Sequence, residues 1–165
     1  MRRVYQPWRK YGANTISGGT VLNPDFKEFV QSLNDNQVRY LVVGGYAVAL
    51  QGHPSYTKDI DIWIELEADN AKKVIRALEQ FGFGSLDIKS EDFLIPDEII
   101  QLGYPPSRID LITTLPGVEF PACYNARVEV EMEGTVVNFI DLENLRKNKR
   151  ASGRAQDLAD LENLD

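Results

Sequence analysis

Two glycines and two aspartates form the part of this sequence whose spacing could support chemistry. Gly44 and Gly45 follow an apolar segment, and Asp59 and Asp61 alternate with isoleucines after thirteen intervening residues. Glycines let backbone N–H groups approach a phosphate closely, and two neighbouring carboxylates require a cation between them. The pattern therefore predicts a site for a nucleoside triphosphate bound together with a metal ion.

The two aspartates are expected to share one face of a strand over residues 59–65. Side chains two residues apart on a strand point the same way, so Ile60 and Ile62 would face the core instead. Two carboxylates 4 Å apart repel by about 4 kcal/mol at an effective dielectric constant of 20. A folded protein exposes such a pair to water, protonates one member or binds a cation. Oxygen ligands of this kind suit Mg²⁺ or Mn²⁺.

A third carboxylate, Asp110, lies alone among the apolar residues of a predicted strand over 108–113. If that strand neighbours the strand of Asp59, three carboxylates converge. Three are enough for two metal ions, one on the phosphates and one on an attacking hydroxyl. Asp110 would then also accept the proton of that hydroxyl.

Three further features of the sequence, two of them basic, could contact a triphosphate. The glycine pair opens a short helix whose free N–H groups can hold a phosphate. Lys58 directly precedes the aspartate pair and would reach a phosphate only if the chain turns there. Near the end of the chain, a basic cluster either contacts the triphosphate or the acidic site, or forms a solvated helix face; its members are Arg146, Lys147, Lys149, Arg150 and Arg154.

The elements that position these residues are predicted from hydrophobic periodicity and turn residues. Helices are expected over 25–33, 46–50 and 68–81, after Asp141, and after Gly153. Strands are expected over 38–43, 59–65, near 98–102 and over 108–113, with a hairpin over 127–140 and a turn at Gly44 and Gly45. This order predicts an α/β (α+β) fold, a mixed β-sheet with helices packed on it, and not a doubly wound nucleotide-binding fold.

Charge and length limit the classes of protein that the chain can represent. The 165 residues suit one domain, taken here as residues 25–165 after a basic arm over 1–24. The arm carries +4, which leaves −11 for the rest of the net charge of −7, and so acidic a body excludes binding to duplex DNA. No apolar segment approaches the roughly 18 residues of a membrane span, and no secretory signal is evident. A cytoplasmic location is expected.

The spacing of Gly44, Gly45, Asp59 and Asp61 resembles the signature of the DNA-polymerase-β-like nucleotidyltransferase superfamily. The wider segments around it are similar to minimal bacterial-type nucleotidyltransferases, which include the AbiEii-type toxins of toxin–antitoxin systems. The tail strengthens the resemblance through the spacing of five residues, Lys149, Gly153, Arg154, Asp157 and Asp160.

The resemblance implies a polymerase-β palm-like fold and a magnesium-dependent transferase of the EC 2.7.7 type. Such an enzyme moves a nucleoside monophosphate from a triphosphate such as ATP to an acceptor and releases pyrophosphate. Asp59, Asp61 and Asp110 would be the catalytic and metal-binding residues. The nucleotide-binding residues would be Gly44, Gly45, Lys58, Lys149, Arg154 and Asp157.

The acceptor, whether a small molecule, a tRNA or a protein, and the oligomeric state stay open. An alternative is a catalytically weak or inactive module that binds nucleotide or a partner on the same fold, because Gly45 stands where many relatives have serine. A phosphohydrolase that used the paired carboxylates would also need a convincing catalytic histidine or a further acidic cluster, which the sequence does not offer. A dehydrogenase would need Gly-x-Gly-x-x-Gly, which Gly44, Gly45 and Gly52 do not form.

Overall fold

A computed structural model of the protein describes residues 2–4, 22–53, 59–104 and 107–165 and contains a seven-stranded mixed sheet. The strands stand in the order β1-β4-β5-β3-β2-β7-β6, with parallel and antiparallel neighbours. Their bounds are β1 Arg2–Val4, β2 Tyr40–Val43, β3 Asp59–Ile64, β4 Ile99–Tyr104, β5 Ser107–Ile112, β6 Val128–Met132 and β7 Thr135–Phe139. The predicted fold class, a mixed sheet with helices packed on it, is confirmed.

Helices connect most of these strands. They are α1 Pro24–Asp35, α2 Gly44–Leu50, α3 Ala68–Phe81, α4 Phe120–Asn125, α5 Leu142–Ser152 and α6 Ala155–Leu164, with a 3-10 helix at Ser90–Leu94. The prediction of a turn at Gly44 and Gly45 was wrong, because α2 begins at Gly44 itself. Strand β1, helix α4 and the 3-10 helix were not predicted. No helix within the described ranges is both long and apolar enough to cross a bilayer.

The two faces of β3 have different environments. Ile60, Ile62 and Ile64 are fully buried in the core, as their alternation predicts. Trp63 shares the opposite face with the aspartates, where its ring packs edge-to-face on Phe120 of α4 with centroids 5.1 Å apart. The far end of the aspartate-bearing face is therefore covered by α4, and its other end carries the acidic residues.

Part of the predicted basic arm belongs to the sheet. Arg2–Val4 forms β1 and pairs in parallel with Ile100–Leu102 of β4 at one edge. At the other end of the arm, the Asn23 side chain caps α1 by accepting from the Asp25 N–H at 2.8 Å. Residues 5–21 lie outside the described part of the chain.

Candidate active site

The register between β3 and β5 brings the three predicted carboxylates together. Asp61 lies opposite Asp110 across these parallel strands, and Asp59 lies opposite Arg108. Residues two apart on a strand share a face, so all four charged side chains leave the same face of the sheet. Adjacent strands are about 4.8 Å apart, which is within the reach of a single bound ion.

Arg108 is a member of this cluster that the sequence-based site did not include. Its Nη2 donates to Asp59 Oδ2 at 2.8 Å, and its Nε and Nη2 donate to the two oxygens of Asp110 at 2.8 and 3.0 Å. A guanidinium thus lies between two of the three carboxylates. The signal was present in the sequence, because Arg108 precedes Asp110 by two residues and must share its face.

Asp61 experiences the unbalanced negative charge of the cluster. Burial raises the pKa of Asp61 to about 7, and the charges of Asp110 and then Asp59 act in the same direction. The positive charges of Lys149 and Arg108 lower this pKa but do not cancel the increase. The cluster therefore favours a further cation, which would stabilise the ionised form of all three carboxylates.

The metal-free protein is expected to lose stability as the pH rises from 3.8 to about 7. The pKa of Asp61 is higher in the folded than in the unfolded state, so the folded protein holds a proton that the unfolded chain has released. The stability that this bound proton provides is fully present below the pKa of Asp61 in the unfolded chain, and it is lost as the pH rises through the pKa of Asp61 in the folded protein. Thermal melts of chelator-treated protein across this interval measure it, and Asp61→Asn should lack it. Identical pH profiles for the two proteins would contradict the assignment.

Gly44 places the start of α2 directly against Asp61. Its φ is +66°, in the left-handed region that favours glycine. A Cβ at this position would overlap Asp61 Oδ2. Both the backbone conformation and the close approach therefore require glycine here, and the glycine pair borders the acidic cluster.

Gly44→Ala is expected to destabilise the protein more than Gly134→Ala. Both glycines have positive φ, +66° and +83°, so backbone strain of about 1 kcal/mol applies to each. Open space surrounds Gly134, whereas the new methyl group at position 44 must displace the Asp61 side chain, for a total of about 2–3 kcal/mol. Urea unfolding measures the difference. Equal losses would show that the Asp61 carboxylate moves aside without cost.

The basic tail forms a buried ionic network between α5 and α6. Lys149 is 6% exposed, and its Nζ donates to Asp157 Oδ1 at 3.1 Å and to Asp160 Oδ2 at 3.0 Å. Arg154 donates to both oxygens of Asp157 at 2.7 and 3.2 Å. Gly153, with φ +65°, ends α5 and lets the chain turn into α6. The tail residues singled out in the sequence are therefore one structural unit.

One cavity of about 340 Å³ joins the acidic cluster to this network. Gly44, Asp61 and Asp110 of the acidic cluster line it together with Lys149 and Arg154 of the network. The cavity therefore has both carboxylates that could hold a cation and basic groups that could hold an anion.

Three other predicted site residues, Gly45, Asp59 and Asp157, are not among the described lining residues of this cavity. Asp59 is joined to Asp110 through Arg108, and Asp157 supports Lys149. Lys58 lies outside the described residues. A larger cavity, of about 520 Å³, lies between α1, α3 and the β6–β7 turn. Size alone would select that cavity, but its described lining contains none of the predicted site residues, so chemistry favours the smaller one.

The carboxylates suit a hard divalent cation by their chemistry. As the side chains stand, the described residues contain no group of three histidine, cysteine or acidic side chains spaced to hold a metal ion. The reason is visible in the ion pairs, because Arg108 holds both Asp59 and Asp110. Oxygen donors on adjacent strands, with an excess of negative charge at Asp61, nevertheless fit Mg²⁺ or Mn²⁺ once those ion pairs open.

Solved structures share this fold. A protein of Thermotoga maritima assigned to the nucleotidyltransferases is 21% identical with a TM-score of 0.57, and the match covers 84% of this chain and 88% of that one. An antigenic nucleotidyltransferase-like protein of Paracoccidioides brasiliensis is 17% identical with a TM-score of 0.51, over 84% and 72% of the two chains. A search of curated protein sequences returns no match.

A family model described as aminoglycoside-2''-adenylyltransferase matches residues 25–136, more than half of the chain. The matched segment includes the glycine pair and all three carboxylates but ends before the basic tail. The narrower resemblance to AbiEii-type toxins stays a prediction. With its sheet, its carboxylate-bearing strands and this match, the chain belongs to the aminoglycoside-2''-adenylyltransferase family of nucleotidyltransferases.

Proposed function

We propose that the protein is a divalent-metal-dependent nucleotidyltransferase that moves a nucleoside monophosphate from a nucleoside triphosphate to an acceptor hydroxyl. The observation that carries this proposal is that Asp61, Asp110, Lys149 and Arg154 line one cavity. A triphosphate bound with a metal ion needs both kinds of group, carboxylates for the cation and basic side chains for the phosphate oxygens.

The carboxylates of Asp59, Asp61 and Asp110 would hold Mg²⁺ or Mn²⁺. When bound, the ion neutralises phosphate charge and lowers the pKa of a coordinated hydroxyl. Of the two carboxylates paired with Arg108, Asp110 is the less exposed, at 10% of its side chain against 32% for Asp59, and we assign it the acceptor proton. The acceptor oxygen bonds to the α-phosphorus, the bond from that phosphorus to the bridging oxygen breaks, and pyrophosphate leaves.

The remaining site residues would bind and orient the triphosphate. Lys149 and Arg154 donate to phosphate oxygens from the tail side of the cavity, and Asp157 holds both of them in place. Gly44 and Gly45 allow the phosphates to approach the backbone beside Asp61, and Lys58 is proposed as a further phosphate contact. Positioning and charge neutralisation would supply most of the rate enhancement.

A cationic small molecule is the acceptor that the cavity favours among a small molecule, a tRNA and a protein. Asp97 and Glu98 add two acidic side chains to the lining that already contains Asp61 and Asp110. An aminoglycoside, the acceptor in the family's description, carries several ammonium groups and hydroxyls that match such a lining.

A module that binds nucleotide without turnover is the second candidate. The observation that favours it is the Arg108 guanidinium held by Asp59 and Asp110, where an active enzyme needs its metal ion. Gly45, which provides no hydroxyl for a phosphate, agrees with it.

Incubation with each labelled nucleoside triphosphate and Mg²⁺ separates the two candidates. The acceptor panel contains aminoglycosides, bulk tRNA and cell protein, and labelled product and pyrophosphate are both measured. The transferase hypothesis predicts stoichiometric pyrophosphate and product with one acceptor class, most strongly the aminoglycosides. Nucleotide binding by calorimetry without product from any acceptor would leave the binding module.

A further inference from the structure

The acidic cluster already contains a cation of its own. Arg108 contacts Asp59 through one oxygen and Asp110 through both, over distances of 2.8 to 3.0 Å. These are charge-assisted hydrogen bonds: the one to Asp59 crosses from β5 to β3, and the contact to Asp110 is bidentate and within β5. Within the described chain, Arg108 therefore bridges Asp59 and Asp110.

A metal ion on these carboxylates needs oxygens that Arg108 now uses. Because the guanidinium engages both oxygens of Asp110, a divalent ion there would have to share those oxygens with Arg108 or displace it. Positive charges a few ångströms apart also repel each other strongly when partly buried. The two cations therefore compete for the same site.

The geometry allows one cation to leave while the carboxylates stay. The Arg108 side chain is 25% exposed, whereas that of Asp110 is 10% exposed, so the guanidinium is the more solvent-accessible member of this pair. Gln101 Nε2 also lies 3.5 Å from Asp110 Oδ2 and supports it from β4. Lys149 cannot take over the position without breaking its ion pairs with Asp157 and Asp160.

We propose that Arg108 is an exchangeable internal counter-cation, which holds Asp59 and Asp110 in place in the metal-free protein and is displaced when a divalent ion binds. The inference rests on the proposed function, since it takes these carboxylates as the metal site. Arg108 is a positioning residue in this scheme, because it acts on the ligands and not on the reacting atoms. Its presence weakens metal binding and stabilises the metal-free fold.

A measurement of metal binding tests the proposed displacement of Arg108 without any assay of nucleotidyl transfer. Mn²⁺ binding to wild type and to Arg108→Gln is measured by the loss of the free-ion electron paramagnetic resonance signal. Removing the competing charge should tighten binding by about tenfold. The metal-free melting temperature should fall at the same time, because Asp59 and Asp110 lose their counter-ion.

The matched control is Arg127→Gln, which removes a guanidinium paired with Glu129 on the outer strand β6 at 2.9 Å. Its Mn²⁺ affinity should equal that of wild type. Unchanged or weaker Mn²⁺ binding by Arg108→Gln would overturn the inference. If Asp61→Asn still abolished binding in that case, the metal site of the proposed function would survive; absence of Mn²⁺ binding by both wild type and Arg108→Gln would overturn both.

If Arg108→Gln does not fold, a measurement on the wild-type protein tests whether a divalent ion displaces Arg108. The side-chain Nε–Hε resonance of Arg108 should be protected from exchange with water in the metal-free protein. Saturating Mg²⁺ should shift this resonance and speed its exchange. If the resonance keeps its chemical shift and its protection from water while Mg²⁺ binds, the proposed displacement of Arg108 by the metal ion is wrong.

Discussion

Asp61→Asn is expected to abolish metal-dependent nucleotidyl transfer, with a rate loss of at least about a thousandfold. Asp61 lies opposite Asp110 on the neighbouring strand, packs against Gly44 and lines the cavity that contains Lys149. Asparagine keeps the shape but provides one neutral oxygen in place of a carboxylate. A divalent ion and its triphosphate would therefore lose a ligand at the centre of the site.

The same substitution should raise the melting temperature of the metal-free protein. The pKa of Asp61 is raised to about 7 by burial and by the charges of Asp110 and Asp59, so above that pH ionised Asp61 opposes folding. The neutral amide of asparagine removes this unfavourable contribution to the free energy of folding. Loss of activity together with a gain in stability is characteristic of a functional group placed against the preference of the fold.

Asp69→Asn provides the matched control, because it makes the same chemical change on an exposed residue in the first turn of α3. Initial rates of transfer and chelator-treated thermal melts should both equal those of wild type. Full activity of Asp61→Asn would remove the central metal ligand from the proposed mechanism. Equal losses in both variants would indicate an effect that is not specific to the cavity.

The elements with strong periodicity were predictable from the sequence, and the irregular ones were not. Helix α3 has the predicted bounds, Ala68–Phe81, because its apolar spacing and the following Gly82 leave little ambiguity. Helix α4 was missed because Phe120–Asn125 is short and contains Pro121 at its start, where proline suits a helix but resembles a loop signal. Strand β1 has only three residues, and its position depends on β4.

The members of the site could be listed from the sequence more readily than their contacts. Alternation placed Asp59 and Asp61 on one face of β3, but only the register of β3 with β5 sets Asp61 opposite Asp110. That register depends on packing of whole strands and is not encoded within either segment. Arg108 was missed for a related reason, since an arginine beside an acid is unremarkable until the neighbouring strand supplies a second carboxylate.

The basic tail shows the limit of reasoning from composition. Five bases within nine residues were consistent with a solvated helix face, and that description suits Lys147, which is half exposed and pairs with Glu143 on its own helix. It does not suit Lys149, two residues later, whose side chain is 6% exposed. The difference arises because α6 folds back on α5 and brings Asp157 and Asp160 to one face of it.

Lys149→Met is expected to cost about 3 kcal/mol of stability and most of the transfer activity. Methionine keeps much of the length of the buried stem but leaves Asp157 and Asp160 without the ammonium group that lies 3.1 and 3.0 Å from them. Arg154 still pairs with Asp157, which limits the loss. The positive charge that lowers the pKa of Asp61 disappears as well, so the carboxylate at the cavity becomes harder to ionise.

Lys147→Met is the matched control on the same helix, because its ion pair with Glu143 is exposed and worth about 0.5 kcal/mol at most. Urea unfolding should separate the two variants by more than 2 kcal/mol if Lys149 is a buried counter-ion. Adding Asp160→Asn to Lys149→Met should restore part of the stability, since it removes a carboxylate that Lys149 neutralised while leaving the ion pair made by Arg154 intact. Recovery of stability without recovery of transfer would assign Lys149 to the triphosphate, whereas recovery of both would show that its role is only to hold α5 and α6 together.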